Sequence, residues 1–160
     1  MLVLEDWSDQ VDEIAQLHAN THAFHADRGD LGVPIPIGRD FFAAVSSLER
    51  GKRWMIVTRV EGRMATFSTL LLSGSTLFTK IAGLDYQLAR GSHAYFHMTY
   101  SLINFAYDRG ASAVDLGTTT YDFKESLGAQ MHPTEYHLRF NRWFMRPLSA
   151  ALRWHFGRQA

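Results

Sequence analysis

The residue types best placed for chemistry gather in the stretch ASAVDLGTTTYDFKESLG, from Ala111 to Gly128. Ala113 to Leu116 reads as a short strand, Gly117 to Thr120 as the small-residue turn that ends it, and Tyr121 to Leu127 as a helix stopped by Gly128. In open α/β sheets, ligands bind at the loops that follow the carboxyl ends of strands. Lys124, one turn into that helix, therefore stands at the rim of a crevice that Gly117 and Thr118 would line. A lysine so placed can act as a point charge for an oxyanion, and deleting an oxyanion donor costs about a hundred- to thousand-fold in rate. As an ordinary surface residue it would instead pair with Asp122 or Glu125.

A site with such a charge also needs a group that can take a proton from an incoming nucleophile. Imidazoles and desolvated carboxylates suit that task, and the candidates are Glu135, His132, His137, His97 and Tyr121. Glu135 and His137 alternate along one expected strand and so share a face, while His93 and His97 are four apart on an expected helix. No serine sits in a nucleophile elbow and the chain has no cysteine, so a direct reaction without a covalent enzyme intermediate is expected. Asp115, in an apolar strand, either accepts backbone or threonine hydrogen bonds at the Gly117 loop or serves the site; buried, it must be satisfied either way. His18, His22 and His25 share one helical face. With no carboxylate-rich or cysteine pattern beside them, no metal is expected, and that face reads as polar surface or as the wall of a substrate groove that includes His22.

The elements that must position these groups are legible from spacing. Ser8 is a plausible N-cap for a helix running to about Phe24 with Val11, Ile14, Ala15 and Leu17 as its stripe. Arg28 to Gly38 is a loop, and Arg39 to Arg50 a second helix ended by Gly51. Trp54 to Val60, Arg63 to Leu72 and Ser75 to Ala82 form an antiparallel meander, with Glu61-Gly62 as a two-residue hairpin turn. LDYQLARGSH after Gly83 reads as a loop into a helix from Ala94 to Arg109. That helix has one apolar face through Tyr95, Met98, Leu102, Phe105 and Ala106 and a second through Phe96, Tyr100, Ile103 and Tyr107, so it is expected to be buried against a sheet. A strand over Pro133 to Phe140 and a basic aromatic helix over Trp143 to Phe156 close the chain. The fold class expected is α/β with a mixed sheet, its antiparallel meander followed by a parallel strand-helix-strand pair. A cleft should open between the ends of that pair, at Gly83 and Gly117.

The 160 residues read as one domain, 1–160, able to bury about two thirds of the unfolded surface. No apolar run reaches the length of a membrane span and no secretory signal opens the chain, so a cytoplasmic protein is expected. Net charge is zero but unevenly spread. Residues 1–30 hold seven acids against Arg28, and residues 139–160 hold five arginines and no acid. That asymmetry, together with Trp143, Phe144, Met145, Trp154 and Phe156, points to a homodimer in which the basic end meets the acidic end of a second copy; peripheral contact with an acidic membrane is the other use of such a surface. Zero net charge gives little long-range attraction for nucleic acid, which is not expected as a partner.

The order of elements, and YFHMTYSLINFAYDRGASAVDLGTTTYDFKESLGAQ in particular, resembles the GNAT acyltransferase superfamily, and more narrowly its Fem-type, peptidoglycan-recognition-like branch. The resemblance covers about Ser8 to Phe140. It rests on a long amphipathic helix ending in glycine, a strand ending in Asp-x-Gly, and a Lys-x-x-x-Gly helix. In Fem-type transferases a Phe-Lys pair at this helix sits beside the transferred acyl group, and Phe123-Lys124 matches it. The resemblance implies N-acyl transfer from acyl-CoA or acetyl-CoA, or another activated donor, to a small-molecule or peptide amine. Members that use acetyl-CoA carry Gln/Arg-x-x-Gly-x-Gly/Ala for the pyrophosphate. This chain reads Gln87-Leu88-Ala89-Arg90-Gly91-Ser92-His93-Ala94, its glycine one place late. Arg90, Gly91, Ser92 and His93, with the amides that open the following helix, are the expected phosphate site. A catalytically silent binding or assembly module on the same fold is the competing reading.

Overall fold

Arg53–Val60 shows no alternation of apolar and polar residues because both of its faces are covered. In the computed structural model, which describes residues 1–27, 37–117 and 121–133, this strand (β2) lies inside a five-stranded sheet of order β1-β2-β3-β4-β5. The other strands are Leu2–Leu4 (β1), Arg63–Ser73 (β3), Thr76–Leu84 (β4) and Ala113–Asp115 (β5). Neighbours from β1 to β4 are antiparallel, and β5 runs parallel to β4. The mixed sheet expected from the sequence is the one found. Two residues at positive φ, Glu61 at 51° and Gly62 at 81°, make the β2–β3 hairpin turn.

Met55 and Val57 of β2 pack with Trp7, Met64, Phe67 and Phe42, and with Val11, Ile14 and Leu17 of Val11–Ala26 (α1). Phe42 comes from Arg39–Ser46 (α2). Trp54 and Ile56 point the other way, into Leu70, Leu77 and the Met98, Leu102 and Ala106 face of Ala94–Asp108 (α4). One strand thus feeds two cores, and each large apolar side chain buried there contributes about 1.5–3 kcal/mol. Trp7, 1% exposed, also donates its indole N–H to the Phe42 carbonyl at 3.1 Å, tying the start of the chain to α2.

Several expectations are corrected. Ser8 does not cap α1; it opens a short 3-10 turn, Ser8–Gln10, and its N–H donates to Asp6 Oδ1. The second helix ends at Ser46 rather than Arg50. The stretch after Gly83 is not a loop, because Tyr86–Ser92 forms a helix (α3) capped by Asp85, whose carboxylate accepts from the N–H groups of Gln87 and Leu88. The second apolar face of α4 is largely exposed at Phe96, Tyr100 and Tyr107, with only Ile103 partly buried. β1 was not anticipated, since three residues are too few for periodicity to register.

Residues 1–119 and 120–160 are two compact units. In the second, Tyr121–Ser126 (α5) is followed by Gly128 at φ 84°, as its C′ role requires. The expected strand from Pro133 to Phe140, apart from Pro133 itself, and the helix from Trp143 to Phe156 lie outside the described residues.

Candidate active site

β4 and β5 pair only over Thr76–Phe78 and Ala113–Asp115 and then part, while β4 continues to Leu84. The fork is fixed by side chains. Thr79 donates its hydroxyl to the Asp115 carbonyl at 2.9 Å, and Asp115 Oδ1 accepts the Gly117 N–H at 2.7 Å. Asp115 therefore has the backbone role that was one of its two expected readings, and Gly117, at φ 75°, turns the chain away from the sheet.

Past the fork the β3–β4 register shifts. Ile81 bonds to the Thr69 hydroxyl, its N–H donating at 3.0 Å and its carbonyl accepting at 3.2 Å. Ala82 and Leu84 then direct backbone groups away from β3, and α1 meets them. Thr21 Oγ1 accepts the Leu84 N–H at 2.7 Å, its own proton shared between the Leu17 carbonyl at 3.0 Å and the Leu84 carbonyl at 3.3 Å, while His18 Nδ1 lies 3.4 Å from the Ala82 carbonyl. Side chains of a helix thus take strand-edge groups that β5 has left. Gly83 permits the approach, since a Cβ there would run into the Phe67 ring and come within 3.1 Å of the His18 backbone nitrogen. Burial pushes the His18 imidazole below its usual pKa, against the Ala82 hydrogen bond, which raises it, and with the charge of His22, which lowers it slightly.

The three α1 histidines do not converge. His18 turns to β4 with its ring edge-on to Phe42, His22 is exposed, and His25 Nε2 lies 3.0 Å from the Tyr86 hydroxyl. Among the described residues no group of three or more His, Asp or Glu side chains gathers to hold a metal.

At the end of β4 the expected phosphate residues are split. Gly91 and Ser92 lie in helical backbone, and the Ser92 hydroxyl donates to the Leu88 carbonyl at 2.6 Å, so they do not form an open anion-binding loop. Arg90 is exposed on α3 with its guanidinium 5.8 Å from the Phe24 ring, and Phe24 is stacked on Tyr86. His93 takes a left-handed conformation and opens α4, whose first turn carries no acid and no side-chain cap. His97, one turn on, is exposed.

In the second unit Lys124 is 7% exposed, which removes the reading of it as a solvated surface lysine; Tyr121 is exposed and Phe123 half-buried on the same helix. His132 is exposed. Thr118, Glu135 and His137 lie outside the described residues. Sequence reasoning passed over Thr21 and Lys80, because a threonine in a helix and a lysine in a strand carry no periodic or motif signal.

The fold is shared with solved proteins. A mutant form of the BH1408 protein from Bacillus halodurans superposes with a TM-score of 0.66 at 19% identity, over 88% of this chain and 99% of that one. A ribosomal-protein-alanine N-acetyltransferase from Brucella melitensis gives 0.63 at 16% identity, over 87% and 98%. An aminoglycoside N-acetyltransferase solved with CoA gives 0.59 at 9% identity, over 84% and 90%. No curated protein sequence matches the chain. The family model described as acetyltransferase (GNAT) domain matches residues 2–125, from β1 through Lys124 into α5. With more than three quarters of its length inside that match, the chain belongs to the GNAT acetyltransferase family.

Proposed function

We propose that this chain is an N-acyltransferase that moves an acetyl group from acetyl-CoA directly to an amine on a small molecule or peptide. The observation that carries the reading is the fork after Phe78 and Asp115 leading along β4 to an α4 whose first turn bears no acid and no side-chain cap. GNAT acetyltransferases use acetyl-CoA, and the residues here fit it. The positive end of the α4 dipole suits phosphate, and Arg90, exposed close by, can swing from Phe24 to a phosphate oxygen. Bound acetyl-CoA supplies the acyl group as a reactive thioester. Lys124 supplies positive charge to the oxygen that becomes anionic, and the family match takes in this residue. Proton acceptance falls to His97, Tyr121, Glu135 or His137.

Phe123-Lys124 further supports placement on the Fem-type branch, and a cytoplasmic homodimer belongs to the same reading. The ribosomal-protein and aminoglycoside acetyltransferases among the structural relatives act, by name, on amines. A silent binding module is favoured by one feature, the helical backbone of Gly91 and Ser92 where an open phosphate loop was expected.

Titration calorimetry with acetyl-CoA separates the two. Wild type should bind, and Arg90→Glu should bind about tenfold or more weakly at unchanged melting temperature, as loss of a charge-assisted contact predicts. No heat of binding for wild type, or equal affinity for both proteins, would remove acetyl-CoA from this site.

A further inference from the structure

Lys80 follows the fork by two residues, on the strand that continues past it. Its ammonium leans back across the gap, 3.9 Å from Oδ2 of Asp115, the last residue of β5, and 4.5 Å from the centre of the Phe78 ring. Asp115 Oδ1 is committed to the Gly117 N–H, so the carboxylate is aimed. A primary amine thus spans the two strands where they separate. The side chains of the pair are 50% and 42% exposed, so the contact is loose, screened and easily given up.

The chain has three lysines. Lys124 is buried, and Lys52 is held 2.7 Å from Glu49 at the start of β2. Lys80 alone among them is an accessible primary amine at the fork.

We propose that Lys80 is a self-acetylation site, modified by the acetyl donor bound to its own chain. The inference rests on the reading that acetyl-CoA binds along β4. The Lys80 ammonium releases one proton to the solvent it faces, and the neutral Nζ attacks the thioester carbonyl carbon. The N–C bond forms, the C–S bond breaks, and the sulfur leaves with the second nitrogen proton as the free thiol of CoA. The product amide is uncharged, so the ion pair to Asp115 Oδ2 is lost and that oxygen opens to the ammonium of an incoming acceptor.

The test needs only the purified chain and acetyl-CoA. Intact-mass measurement and peptide mapping should find one acetyl group on Lys80, added about tenfold or more faster than on exposed Lys52, because a group held beside its reaction partner outruns one meeting it from solution. An excess of CoA should suppress the Lys80 signal and leave Lys52 unchanged. Lys80→Arg should bind acetyl-CoA as wild type does and lose only the Lys80 modification. Equal rates at Lys80 and Lys52, or no acetyl group on Lys80 in a protein that calorimetry shows to bind acetyl-CoA, would overturn the inference while leaving the donor site standing. Absence of binding would instead overturn the donor reading, and the inference with it.

Discussion

His18 carries a pH dependence that can be read at the level of one side chain. Burial holds its folded pKa below that of the unfolded chain. As pH falls from about 6.5 the unfolded state takes up the proton first, so it binds more protons in that window and stability declines. Thermal melts of wild type should fall between neutral pH and pH ~5, and His18→Gln, which keeps a donor for the Ala82 carbonyl, should flatten that fall. Identical slopes would mean that other groups set the acid sensitivity. Lys124 is the second residue whose surroundings alter the expectation. Truncating it to alanine would open space at a buried position, so Lys124→Met, which keeps most of the stem, is the cleaner variant. Under the proposed role it should fold as wild type and lose about a hundred-fold in transfer rate. A Lys124→Met enzyme with full turnover would show that the charge is not used.

At the scale of elements, the contact between α1 and the end of β4 depends on a missing side chain. Gly83→Ala forces a methyl group against Phe67 and the His18 backbone, an overpacking that costs about 1–3 kcal/mol. The melting temperature should drop by about 3–10 °C. Gly91→Ala is its control, because no atom lies within 4 Å of a Cβ there and the backbone is helical. It should be neutral or stabilising by up to about 1 kcal/mol. If both variants melt together, the close approach at Gly83 is not a constraint. α3 illustrates a different effect. Gly91 argues against a helix in its seven residues, but Asp85 as N-cap and Ala89 against Ala65 and Ala94 suffice to build about two turns.

For the whole molecule, the uneven charge of the sequence is the feature that reaches beyond one chain. Residues 1–30 hold seven acids and residues 139–160 five arginines in a chain of zero net charge, and two copies could bring these opposite charges together across an interface. Light scattering at micromolar concentration should return twice the chain mass at low salt, with dissociation as salt screens the contact. The mass of one chain at every ionic strength would sink the dimer.

Local chemistry determined much of this protein by itself. The Glu61-Gly62 turn, the apolar runs on either side of it and the Gly110 and Gly128 helix stops act through backbone conformation and nearest neighbours, so the meander, α4 and α5 could be read within a few residues of their ends. The long helix ending in glycine, the strand ending in Asp-x-Gly and the Lys-x-x-x-Gly helix also pointed to the family. Only tertiary structure decided which groups meet. The exposure of Phe96, Tyr100 and Tyr107 depends on what packs against α4, and that information is absent from the helix's own periodicity. The pairing of Thr21 with Leu84, |i−j| of 63, and the placement of Lys80 beside Asp115 arise from a strand that outlasts its partner. Where β4 and β5 part is held by the Thr79 hydroxyl on the Asp115 carbonyl, a contact between residues far apart along the chain that no local spacing encodes.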